Sequence, residues 1–165
     1  MAGYKGHLVG AAASNAVYVG ALKTVHSQWL QQNAGLLSDW QLIVGLFVIA
    51  MLFGLWPDVD TNSKGQNIFF GLAFIADILL IVTGRVEAAA YLGLLAMTPI
   101  IGKHRGWTHS KLAMILVPLP IVIVPYWHRS DLLTVSILLY GAAVVGYFSH
   151  LLLDGLIVKH IRIKG

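Results

Sequence analysis

Six apolar runs, each close to the width of a bilayer, decide most of what this chain can become. They lie near 7–25, 40–56, 67–84, 86–102, 111–127 and 131–158. A helix needs about 20 predominantly apolar residues to cross a hydrocarbon core. Backbone groups find no water there, so helices are expected and open sheets are excluded. Composition agrees: 58% of the residues are hydrophobic and 11% are charged, with a mean hydropathy of +0.77. Soluble domains carry about 25% charged residues. The expectation is a single integral membrane domain over 1–165, all-α, a polytopic transmembrane helix bundle of five or six spans.

The breaks between runs are chemically legible. WPDVDTNSKG (56–65) combines Pro, Gly and two carboxylates, and TGR (83–85) reads as a tight turn. KHRGWTHSK (103–111) and HRSD (128–131) are the later breaks. Trp40 and Trp56 bracket the second run and Trp127 closes the fifth, the pattern of an interfacial belt. Pro118, Pro120 and Pro125 crowd the fifth run, which should kink because each Pro removes a backbone donor. Lys5 ahead of an apolar run has a little of a signal peptide, but His7, Ser14 and Asn15 interrupt it and a Leu core is missing. A retained helix with a polar face is expected, with Gly10, Ala11 to Ala13 and Gly20 serving close helix packing.

Lys and Arg set the orientation. With six spans, one side receives Lys5, Lys64, Lys103, Arg105, Lys111, Lys159, Arg162 and Lys164, and the other Lys23, Arg85 and Arg129. The positive-inside rule then places both termini in the cytoplasm. The basic residues serve as topology signals and anionic-lipid contacts. No aromatic-interleaved basic stripe is present, so nucleic acid is excluded as a partner. The chain has no Cys, which excludes disulfides and thiolate metal sites.

The residues able to do chemistry fall on one side of this topology. His7 opens the first run; Asp58 and Asp60 lie in the second break; His104 and His109 lie in the fourth; His150 and Asp154 end the last run. Seven ligand-type residues from four segments thus share the cytoplasmic end. His150 and Asp154 are i and i+4 on a helix and share a face. Pro57 stiffens the turn bearing Asp58 and Asp60, and Gly106 lets His104 and His109 face one centre. Imidazole and carboxylate without thiolate suit Zn²⁺, Mn²⁺ or Fe²⁺. More than four ligands suit two ions, with a bridging Asp. A bound ion lowers the pKa of water toward neutrality and so supports hydrolysis. Arg105 would stabilise charge on a phosphoryl or carbonyl oxygen, and Asp60 would serve as general base or second-ion ligand. Thr108 and Ser110 would cap the following helix or orient a ligand histidine.

At these motifs the sequence resembles the YdjM-like family of bacterial membrane proteins, described as predicted metal-dependent hydrolases. Gly6-His7, PDVD with Ser63 and Gly65, HRGWTHS and SHLLLD occur in the family's order and span nearly the whole chain. The resemblance implies a bacterial inner-membrane protein whose metal ligands are His7, Asp58, Asp60, His104, His109, His150 and Asp154. Many members carry His after the second Asp, where this chain has Thr61. The ligand order is also distantly similar to zinc-dependent phospholipase C and P1 nuclease, which favours phosphoester hydrolysis.

Plainer readings compete. Asp58 and Asp60 could form a Pro-Asp turn and a helix cap; His104, His109 and Arg105 could be solvated loop residues; His7 could be an interfacial histidine. His150 and Asp154 lie in an apolar helix, where ionisable groups are costly and usually functional. Asp77, in the middle of the third run, has no obvious partner and is expected to be a protonated or hydrogen-bonded packing residue. His26, His128 and His160 read as solvated surface. The expected function is a membrane-embedded metal-dependent hydrolase acting at the cytoplasmic interface on a phosphoester of a lipid or lipid-linked substrate. The alternative is a metal-ion transporter or metal-binding regulator, although transport favours ligands near the midplane. A scaffold leaves the convergent His and Asp unexplained. The membrane phosphatidic acid phosphatase pattern is matched only by SHLLLD.

Overall fold

The structure is a computed structural model, described over residues 3–24, 33–59, 64–101 and 107–156. These residues are helical throughout and contain no strand. The helices are α1 (Tyr4–Thr24), α2 (Trp40–Leu55), α3 (Lys64–Val82), α4 (Val86–Ile101), α5 (Lys111–Leu116), α6 (Pro120–His128) and α7 (Leu133–Leu153). Short 3-10 turns cover Ala34–Ser38, Trp56–Asp58 and Ser130–Leu132.

The six apolar runs each become helix. The fifth is broken rather than bent. Pro118 and Pro120 lack N–H groups, so the ladder gives way between α5 and α6 to short-range bonds, Leu119 N to Leu116 O and Ile121 N to Pro118 O. Asp39 caps α2 by accepting from Gln41 N at 2.8 Å, and Ser110 caps α5 by accepting from Ala113 N at 3.0 Å. Gly84 (φ 76) ends α3 and Gly155 (φ 70) ends α7. Both take the left-handed conformation that lets the next N–H reach back five residues, Arg85 N to Leu80 O and Leu156 N to Leu151 O.

Three stretches have the length and hydropathy to cross a bilayer: Trp40–Asp58, Lys111–His128 and Ser130–Leu153. Gln66–Val82 and Val86–Met97 are apolar but shorter. α1 has 21 residues, but His7, Ser14, Asn15 and Lys23 dilute its apolar character. The large apolar side chains exposed on α3, among them Phe74, Leu79 and Val82, fit a surface solvated by lipid tails.

The core is made by α1, α2 and α7, which pack closely on one another. The polar face of α1 points inward: its buried stripe is His7, Ala11, Asn15 and Val19. Small residues allow the close approach. A Cβ on Gly146 would fall on the Ala50 carbonyl oxygen, and one on Gly54 would stand 2.7 Å from Ala11 Cβ. Gly10 lies against Leu153 in the same way. Gly20, expected to serve the same purpose, has nothing within 4 Å of its Cβ position, so it lies outside the contact. α3 and α4 form a hairpin joined at Gly84, and α6 leans on α7. α1 begins, and α2 and α7 end, at one end of the bundle, where the polar residues gather.

Candidate metal centre

Four segments of chain deliver five ligand-type side chains to that end. His7 comes from the first turn of α1, Asp58 from the 3-10 turn that continues α2, His109 from the turn before α5, and His150 and Asp154 from the end of α7. His150 Nε2 stands 3.5 Å from Asp154 Oδ2 and 3.7 Å from Asp58 Oδ1. His109 Nε2 stands 3.5 Å from Asp58 Oδ1 and 3.9 Å from Asp154 Oδ2. His7 Nε2 stands 3.8 Å from Asp58 Oδ2 and 3.6 Å from Asp154 Oδ1. Each carboxylate thus approaches His7 through one oxygen and the His109–His150 pair through the other.

These separations exceed the 2.7–3.2 Å of a direct N–H···O bond. They are close to the spacing of ligands sharing an ion. Nitrogen and oxygen atoms about 2.1 Å from a tetrahedral ion stand roughly 3.4 Å apart. Asp58, His109, His150 and Asp154 each offer a ligand atom within 4.8 Å of the others.

Burial sharpens the case. The His7, His150 and Asp154 side chains are at most 2% exposed, while His109 and Asp58 are 20% and 28% exposed. The site therefore has a buried floor and one open side. Both ring nitrogens of His7, Nε2 of His150 and Oδ1 of Asp154 are buried without a hydrogen-bond partner among the described residues. Orphaned polar atoms of this kind cost about 1–3 kcal/mol each. Three of them, His7 Nε2, His150 Nε2 and Asp154 Oδ1, lie beside the carboxylates in one place and fit a divalent cation.

The surroundings fix the rings. His150 Nδ1 lies 2.8 Å from the Gly54 carbonyl oxygen, which can only accept. Nδ1 therefore carries the proton, and Nε2 turns its lone pair toward the carboxylates. Gly54 supplies this carbonyl where α1 and α2 touch, so the small-residue packing and the ring orientation have one cause. His7 stacks on His150 with centroids 3.8 Å apart and planes 17° apart. Thr108 Oγ1 lies 3.2 Å from His109 Nδ1. The buried Tyr147 hydroxyl donates to the Thr108 carbonyl, which ties the 107–110 turn to α7.

The sequence places His7, Asp58, His109, His150 and Asp154 in the site, and the structure brings all five together. Asp60, His104 and Arg105 fall outside the described residues, as do Thr61, Ser63, His26 and His160. The two roles left open for Thr108 and Ser110 divide between them: Ser110 caps the helix and Thr108 touches the histidine. His128 is exposed, as expected. Asp77, expected to be a protonated or hydrogen-bonded packing residue, faces α4 beside Gly93, and its Oδ1 is buried without a hydrogen bond among the described residues. Sequence reasoning missed Gly54 and Tyr147. Gly54 works through its backbone, and Tyr147 is one apolar-looking position in a helix of many.

No curated protein and no solved structure matches the chain. A family model described as YdjM inner membrane protein matches it over residues 1–163. The chain belongs to the YdjM inner membrane protein family.

Proposed function

We propose that this protein is a membrane-embedded metal-dependent hydrolase acting on a phosphoester of a lipid or lipid-linked substrate, with its site at the cytoplasmic face of the inner membrane. The observation that carries this reading is the convergence of three imidazoles and two carboxylates, with three orphaned atoms facing one another among them, at one end of an apolar bundle. His7, Asp58, His109, His150 and Asp154 would hold the cation. Zn²⁺ is favoured by the imidazole-rich set, with Mn²⁺ or Fe²⁺ as alternatives. With each carboxylate split between His7 and the other two histidines, the five residues would hold one or two ions.

When bound, such an ion supplies Lewis acidity and makes water nucleophilic near neutral pH. The chain's own residues do the rest. Gly54 and Thr108 hold two rings in place. The buried floor excludes competing water, and the open side at Asp58 and His109 admits substrate. Asp60 is assigned as general base or further ligand, and Arg105 as the partner of the phosphoryl oxygens. A transporter reading is weaker, because the ligands stand at the end of the bundle and α1, α2 and α7 run unbroken beside them.

The test is elemental analysis of purified wild type beside His150→Ala and Asp154→Ala, with phosphate release from lipid phosphoesters measured with and without chelator. One or two transition-metal ions in wild type, fewer in the variants and chelator-sensitive turnover are expected. A metal-free wild type or chelator-resistant turnover would sink the mechanism.

A further inference from the structure

α4 packs against α3 and stands away from α2 and α6. The gap is a cavity of about 330 Å³, half open to the outside, lined among others by Leu52, Phe53, Trp56, Leu95, Ile121 and Val124. Apart from Trp56 and Tyr91, no lining side chain among the described residues carries a polar atom. Along α4 the lining runs from Ala96 back to Ala88, about 12 Å of helix rise. The cavity is therefore elongated and lies along the helices. Its volume is near the lower limit of small-molecule pockets, about 300–1,000 Å³.

Trp56 joins this cavity to the candidate site. It occupies the same 3-10 turn as Asp58, two residues away, and its ring meets Trp107 edge-on at 5.6 Å, beside the turn bearing His109. Trp56 is 1% exposed, yet its indole Nε1 has no hydrogen-bond partner among the described residues. That nitrogen is closed off from the cavity as well as from the outside, so the Trp56 ring serves as an apolar wall on the side nearest the ligand cluster.

We propose that this cavity seats one acyl chain of a bilayer phospholipid. The inference rests on the phosphoester reading and names how such a substrate is held. Two parts of a phospholipid match two adjoining parts of the site: phosphate at the ligand cluster and hydrocarbon between α2, α4 and α6, with the Trp56 ring as the wall between them. A methylene chain leaves no polar group to satisfy inside an apolar slot, and it fills space whose lining otherwise lacks contact partners.

The test uses the full chain in lipid nanodiscs containing chelator, so that labelling is read without turnover. The probe is a phosphatidylglycerol with a diazirine at mid-chain, and adducts are mapped by peptide mass spectrometry. Adducts are expected on Leu52, Leu95, Ile121 or Val124 at least fivefold above the outward-facing α3 residues Phe74, Leu79 and Val82. Ala88→Trp and, independently, Leu92→Trp should fill the slot and reduce that excess to background. Equal labelling of slot and outer face in wild type would overturn the proposal. Slot labelling in a protein that hydrolyses nothing would leave the slot standing and defeat the hydrolase. Chelator-sensitive hydrolysis without slot labelling would do the reverse.

Discussion

Two parts of this molecule bury carboxyl groups among apolar helices, with opposite outcomes. In the α1–α2–α7 core, Asp154 is joined by Asp58 and three histidines drawn from four segments of chain. In the α3–α4 hairpin, Asp77 lies beside Gly93. Both regions leave a carboxylate oxygen without a hydrogen bond among the described residues, Oδ1 in each case. A buried polar group is thus no sign of a site by itself. Convergence is the sign: orphaned atoms that face one another at ligand spacing share one remedy, whereas a lone atom shares its cost with nothing. The packing differs in the same sense. The core is drawn together by Gly54 and Gly146, whereas α4 stands off far enough to leave a cavity.

The comparison breaks most sharply at the ligands. His150→Ala and Asp154→Ala should each weaken metal binding by more than about 100-fold, beyond the 10–100-fold typical of outer hydrogen-bonding partners. Metal competition titrations of folded protein in detergent measure this. Asp154→Ala also removes a buried orphaned oxygen, so without metal this variant should unfold at or above the temperature of metal-free wild type. A large drop in that temperature would mean that the cluster serves folding and not binding.

Next in size is the contact that positions the floor of the site. Gly146→Ala would drive a methyl group onto the Ala50 carbonyl, backbone against backbone. Overpacking of this kind costs about 1–3 kcal/mol, and the shift of α7 against α2 should also lower metal affinity, because His150 and Gly54 sit on those two helices. Gly71→Ala is the matched control, since nothing lies within 4 Å of that position. Equal unfolding midpoints and metal affinities for the two variants would show that the tight α2–α7 contact does not support the site.

The difference between the two regions also explains what could be read from sequence. Apolar runs and their breaks locate helices because hydropathy and length are local properties. HRGWTHS and SHLLLD stand out because ionisable residues in such a chain are few, and counting Lys and Arg by side was enough to gather the motif residues at one end. What sequence cannot show is which small residue makes a contact. Gly20 and Gly54 look alike in the chain, yet one faces open space and the other carries the carbonyl that orients His150. Trp56 reads as a belt residue from its position at the end of a run, but it is buried, and it becomes a cavity wall only when α4 and α6 are in place.

A smaller effect is expected one layer out from the ligands. Thr108→Val keeps the shape of a fully buried side chain and removes the hydroxyl beside His109 Nδ1. Metal affinity should fall about tenfold, the low end for an outer partner, and the fold should hold, because the Tyr147 hydroxyl bonds to the Thr108 carbonyl and not to its side chain. Unchanged affinity would leave His109 oriented by the backbone alone.

The smallest effect belongs to Asp77. Asp77→Leu replaces a buried carboxyl oxygen with methyl groups at a position where Gly93 leaves room on the facing helix. Replacing an unsatisfied buried polar group with an apolar one of similar size is neutral or stabilising. The unfolding midpoint should therefore stay level or rise, and metal content and chelator-sensitive turnover should match wild type. Asp77 lies about three turns into α3, on a hairpin that shares none of the ligand cluster's hydrogen bonds among the described residues. Loss of metal or turnover in a well-folded Asp77→Leu protein would mean that the hairpin is coupled to the site, and the two carboxylates would then belong to one functional unit.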